Sequence, residues 1–67
     1  MSPQRIGKVL KKLREQKGLS QLELAKRADV AQAYISEMEA GDKKNPGIET
    51  LRKLAKALGV PVTELLG

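Results

Sequence analysis

Gln32, Ala33, Ser36, Glu37 and Ala40 fall on one side of a helical wheel drawn at 100° per residue, opposite Ile35, Met38 and Ala31. Three of the five carry hydrogen-bonding side chains and none is large and apolar. Such a face can lie close to another surface. Just beyond it, Lys43, Lys44 and Asn45 place two positive charges and an amide in a loop running from Gly41 to Gly47. Catalysis has little to work with. The chain contains no His and no Cys, which makes zinc sites, imidazole bases and thiolate chemistry improbable and removes any disulfide framework. With no nucleophile–base pair and no metal cluster in the sequence, the expectation is a non-enzymatic binding protein without cofactor or metal.

Sixty-seven residues are one domain's worth of chain, residues 1–67. Lys and Arg number 13 against 8 Asp and Glu, a net charge of +5. The charge is uneven. Residues 1–19 hold six basic and one acidic side chain, residues 20–40 two and four, and residues 41–67 five and three. Tyr34 is the sole aromatic residue, too few for a stacking platform for single-stranded nucleic acid. No apolar run approaches the roughly 18 residues of a membrane span, and no secretory-type segment follows Met1. A cytoplasmic module with no membrane partner is expected.

Ten leucines with no Phe or Trp suggest helix packed on helix, and the periodicity predicts five helices and no strands. Over residues 2–17, Ile6, Val9, Leu10 and Leu13 recur at helical spacing, and Gly18 ends the run. Ser20 and Glu23 fit a capping box opening residues 21–28, with Leu24, Ala25 and Ala28 inward. Residues 32–40 form the third helix, stopped by Gly41. Leu51, Leu54, Ala55 and Leu58 repeat at i, i+3, i+4 and i+7 in residues 48–58, capped by Gly59. Pro61 can open a last short helix over 62–66. No internal repeat or linker stands out.

The stretch Gly18-Leu19-Ser20-Gln21, Leu24-Ala25, Val30, Ile35-Ser36 and Met38-Glu39-Ala40-Gly41 resembles the lambda-repressor/Cro-like (XRE-type) helix-turn-helix regulators. Residues 46–60, from Pro46-Gly47-Ile48 to Leu58-Gly59-Val60, look like the fourth helix of the same family. The resemblance extends from about Ile6 to Leu66. It implies an all-α, five-helix lambda-repressor-like bundle whose third helix enters the major groove of double-stranded DNA while the second crosses the backbone beside it. It further implies base contacts from Gln32, Ala33, Ser36 and Glu37. Gln32 suits adenine, Ala33 a thymine methyl and Glu37 the amino group of cytosine. Phosphate contacts are expected from Gln21, Tyr34, Lys43, Lys44, Asn45 and Gly47, the last through backbone N–H groups opening the fourth helix. Arg14 and Glu39 are expected to form an ion pair joining the first and third helices. The lysines Lys8, Lys11 and Lys12 read as a solvated helix face.

Three positions depart from the family's pattern. Asp29 stands where the turn usually carries Gly, and Ala31 where the third helix usually starts with Ser or Thr. Loss of that cap costs on the order of 1 kcal/mol. Glu37 places a negative charge in the middle of the proposed recognition face. The expected function is a sequence-specific transcriptional regulator, a repressor, working as a homodimer on a palindromic operator. Dimer contacts are expected through Val60, Val62, Leu65 and Leu66, and Leu22 is a second outward apolar residue. Three further assignments remain open on the same fold: the antitoxin of a toxin–antitoxin pair with a toxin as partner, a restriction–modification controller, and an adaptor that binds protein in place of DNA.

Overall fold

Most of the helices begin or end at a residue whose chemistry provides the signal. The computed structural model describes residues 3–42 and 46–66, so the expected contacts at Lys43, Lys44 and Asn45 lie outside the described residues, as does Ser2. Helix α1 spans Pro3–Gln16, with proline at the first helical position, where its missing N–H costs no hydrogen bond. Helix α2 spans Gln21–Ala28 behind a complete capping box. Ser20 Oγ accepts from the Glu23 N–H at 3.0 Å, and Glu23 Oε1 accepts from the Ser20 N–H at 2.9 Å. Helix α3 spans Gln32–Glu39 and α4 spans Ile48–Leu58; neither has a side-chain cap at its start. Helix α5 is the single turn Thr63–Leu66. Among the described residues there is no strand.

Three of these boundaries differ by one residue from the periodicity. Lys17 lies in the turn after α1, its N–H still donating to Leu13 O at 3.1 Å. Ala40 is the C-cap of α3, its N–H still donating to Ser36 O. Val62 precedes α5, in a turn closed by the Glu64 N–H donating to Pro61 O at 3.0 Å. Gly59 closes α4 in the left-handed region, φ 71°, which a residue without Cβ adopts at little cost.

All five helices send a side chain into one core. The largest fully buried side chains are Leu10 from α1, Leu24 from α2, Ile35 and Met38 from α3, Leu54 from α4 and Leu65 from α5. Burying each contributes roughly 1.5–3 kcal/mol before entropy is counted. Helix α3 packs on α1 and α2, α4 on α2, and α5 on α1 and α4.

The structure corrects two sequence expectations. Leu65 is only 1% exposed and belongs to the core of its own chain, so it is not free to form a dimer contact. A one-turn helix has too few residues for periodicity to settle which way its leucines face. Ala31, placed inward by the helical wheel, is exposed. It is the N-cap of α3, with extended backbone (φ −70°, ψ 141°), so the wheel does not apply to it.

Gly7 sets the approach of α1 to α3. A Cβ built there would lie 1.9 Å from the carbonyl oxygen of Met38 and 3.2 Å from the Cα of Glu39. Both neighbours are backbone, so no rotamer change relieves the clash. The absence of a side chain lets the last turn of α3 rest against α1.

Candidate nucleic-acid interface

Helix α3 is held from behind and bare in front. Ile35 and Met38 anchor it in the core, while Gln32, Ala33, Ser36, Glu37 and Ala40 are all exposed. Tyr34 lies half-buried against the core at the edge of that face. The face is therefore polar or small in character, carries no large apolar group, and is negative only at Glu37.

A network of side chains locks the far end of α3. Arg14 donates from Nε to Glu39 Oε2 at 2.7 Å and from Nη2 to Glu39 Oε1 at 3.0 Å, a bidentate geometry that fixes orientation as well as distance. Its Nη1 also donates to Leu19 O at 2.7 Å. The two side chains are only 11% and 5% exposed. Burial opposes ionisation of Glu39, but the donors from Arg14 and Gln21, with the positive charges of Arg14 and Lys11, outweigh it and hold the carboxyl below its ordinary value. Hydrogen bonding to Glu39 correspondingly raises Arg14 despite its partial desolvation. The network ties the end of α1, the start of α2 and the end of α3 into one frame.

Gln21 is part of that frame. Its Nε2 donates to Glu39 Oε1 at 3.0 Å, so the side-chain donor expected to meet a phosphate has a partner within the fold. The backbone N–H of Gln21 remains at the first position of α2, where no intrahelical acceptor exists. Glu23 sits one turn in, its carboxyl lowered by hydrogen bonds from the Ser20 backbone and side chain. Its charge therefore already lies at the positive end of α2. Gly47 is exposed at the N-cap of α4, and among the described residues no side-chain hydrogen bond caps the first turn.

Sequence reasoning missed three features of this region. Gly7 left a readable trace, because glycine inside a helical run costs about 1 kcal/mol relative to alanine and signals close packing. The Gln21–Glu39 hydrogen bond had none, since the partners are 18 residues apart. Ile48, at the start of α4, is 47% exposed, comparable with Leu22 at 46%. Leu22 lines an open groove of about 530 Å³ beside the α2–α3 turn, together with Lys26, Asp29, Val30 and Gln32. No described helix is long and apolar enough to cross a membrane.

The arrangement of these helices recurs in known proteins. The chain is 34% identical over 62 residues to the immunity repressor of Bacillus phage phi105, covering 92% of this chain and 42% of the repressor. It is 43% identical over 61 residues to the transcriptional regulator SinR of Bacillus subtilis, covering 91% of this chain and 55% of SinR. The chain thus spans about half the length of these relatives. Its fold superposes on the crystal structure of SinR in complex with DNA with a TM-score of 0.89, at 42% identity, over 92% of this chain and 98% of that one. The restriction–modification controller C.AhdI of Aeromonas hydrophila superposes with a TM-score of 0.90 at 35% identity, over 94% of both chains. Residues 10–65 match the family model described as Helix-turn-helix, and the chain belongs to that family of transcription regulators.

Proposed function

We propose that the chain reads double-stranded DNA with the outer face of α3 set in the major groove, as a transcriptional repressor acting as a homodimer on a palindromic operator in the cytoplasm. The observation that carries this is the two-sided character of α3. Its inner side is packed through Ile35, Met38 and the Glu39 network, and its outer side presents Gln32, Ala33, Ser36, Glu37 and Ala40. A groove about 12 Å wide admits a helix whose outward side chains are small or can hydrogen-bond to base edges.

Gln32 reads a base through its amide, bidentately to adenine, and Ser36 and Glu37 follow one turn later. Ala33 rests on a thymine methyl. Tyr34, the loop residues Lys43, Lys44 and Asn45, and the N–H groups at Gly47 position the domain on phosphates. Gln21 contributes its backbone N–H, while its side chain holds Glu39. Two copies pair through the half-buried Val60, Val62 and Leu66 around α5, placing their α3 helices about 34 Å apart to meet successive grooves. The domain performs no catalysis of its own. A restriction–modification controller is the second reading, supported by the match to C.AhdI over nearly the whole of both chains.

The test is selection of bound sequences from random duplex DNA by the wild type and by Gln32→Ala. A palindromic motif from the wild type, losing its preference at one position per half-site in the variant, is the expected result. An unchanged motif in the variant removes Gln32 from base readout, and no enriched motif at all overturns sequence-specific binding.

A further inference from the structure

The positive charge of this chain is not where its recognition helix is. Residues 20–40, which include α2 and α3, carry a net negative charge, whereas residues 1–19 carry six of the thirteen cations against one acid. Five of those six are exposed, and three of the five, Lys8, Lys11 and Lys12, share an open groove of about 430 Å³ on α1 with Glu15 and Gln16.

Two contacts fix the position of this groove relative to α3. Gly7 meets the backbone of Met38 and Glu39, and Arg14 pairs with Glu39. The end of α3 therefore crosses α1 along the line from position 7 to position 14, which lie on one face of a helix. Leu10 falls on one side of that line and is fully buried; Lys11 falls on the other and is exposed. Lys11 is close enough for its charge to act on Glu39. From Lys11 the lysines continue outward around α1, through Lys8 to Lys12. The lysine face thus begins at the carboxy-terminal end of α3.

We propose that Lys8, Lys11 and Lys12 form a second, sequence-independent contact with the sugar-phosphate backbone, flanking the groove that receives α3. This rests on the DNA-binding reading above. Charge complementarity selects the occupant: three ammonium groups on one helix face match a phosphate track, and an acidic recognition module needs attraction from elsewhere to approach a polyanion. Glu15, in the same groove, opposes the contact.

The experiment measures the affinity of the full chain for the selected operator duplex and for a random duplex of equal length, across a salt series. It compares the wild type, the triple variant Lys8→Gln/Lys11→Gln/Lys12→Gln, and Glu15→Gln. Because all four side chains are exposed, unchanged thermal unfolding midpoints check that the variants are folded. Each lost phosphate contact lowers the slope of log affinity against log salt by about 0.9, so the triple variant should lose about 2–3 in slope and about tenfold or more in affinity on both duplexes. Its selected motif should stay the same, and Glu15→Gln should bind more tightly. A triple variant with wild-type slope overturns the lysine contact while leaving α3 recognition standing. So does a variant that keeps its slope but loses wild-type binding to a polyglutamate chain, which would make the face a docking site for acidic protein. Failure of the wild type to bind either duplex overturns the DNA-binding reading and this inference with it.

Discussion

The ends of α2 and α4 are two versions of one device. Residues 24–30 read Leu-Ala-Lys-Arg-Ala-Asp-Val and residues 54–60 read Leu-Ala-Lys-Ala-Leu-Gly-Val. In both, the first, second and fifth positions are buried. In both, the sixth residue is left-handed, Asp29 at φ 57° and Gly59 at φ 71°. The closing valine N–H donates to the alanine carbonyl at 3.0 Å in each, Val30 to Ala25 and Val60 to Ala55. This is the bond pattern that closes a helix by satisfying its last carbonyls. The paths out of the two turns diverge. After Val60 the chain folds α5 into the core through Leu65, whereas after Val30 it sends out α3 with one side bare.

The difference shows where stability resides. The turn into α3 uses aspartate where the other uses glycine, and α3 starts at Ala31 without a side-chain cap. Its local signals are the weaker of the two. Helix α3 must therefore depend more on tertiary anchors: Gly7, the Glu39 network, Ile35 and Met38.

The largest expected effect tests that dependence. Gly7→Ala puts a methyl group into the Met38 carbonyl and should destabilise the fold by about 3 kcal/mol, the scale of core overpacking with backbone displacement. Denaturant unfolding measures it. A gain of up to about 1 kcal/mol, which alanine in place of glycine gives at an ordinary helix position, would mean that α3 does not rest on α1 in this way.

Next comes Glu39→Gln, which removes the charge that Arg14 pairs with and should cost about 2 kcal/mol. Because Glu39 titrates below its ordinary value of 4.5 in the folded chain, its contribution is fully present above the unfolded value and is lost as pH falls through the folded one. Wild-type stability should thus drop on acidification below about pH 4.5, and the Gln variant should show a shallower fall. Glu23 acts in the same direction through its capping box, so the slope is reduced and not abolished. Parallel profiles for the two proteins would contradict the assignment.

The smallest effects belong to the two turns themselves. Gly59→Asp should cost about 1 kcal/mol, and Asp29→Gly should gain up to about 0.5–1 kcal/mol, since each exchanges the residue at a left-handed position. Equal and opposite shifts in thermal midpoint would establish the two caps as equivalent. A loss on Asp29→Gly would show that the aspartate side chain supports the turn into α3.

Much of this architecture was legible in the chain itself. The capping box at Ser20 and Glu23, the repeat of Leu51, Leu54, Ala55 and Leu58, and the glycine stops each act within a turn or two, so spacing alone places α1, α2, α3 and α4 to within a residue. The two faces of α3 were legible for the same reason. The helical wheel failed where its premise fails, at the extended N-cap Ala31 and in the single turn holding Leu65.

By itself, then, the sequence determined which segments are helical, which face of α3 lacks large apolar groups, and that positive charge is concentrated in the first nineteen residues. Tertiary structure alone decided that Gln21 holds Glu39, that Gly7 admits the backbone of α3, and that the lysines of α1 begin where α3 ends. The division has one physical cause. Periodicity and capping are written into neighbouring residues, whereas a hydrogen bond or a close approach between segments 18 to 31 positions apart depends on how the helices cross.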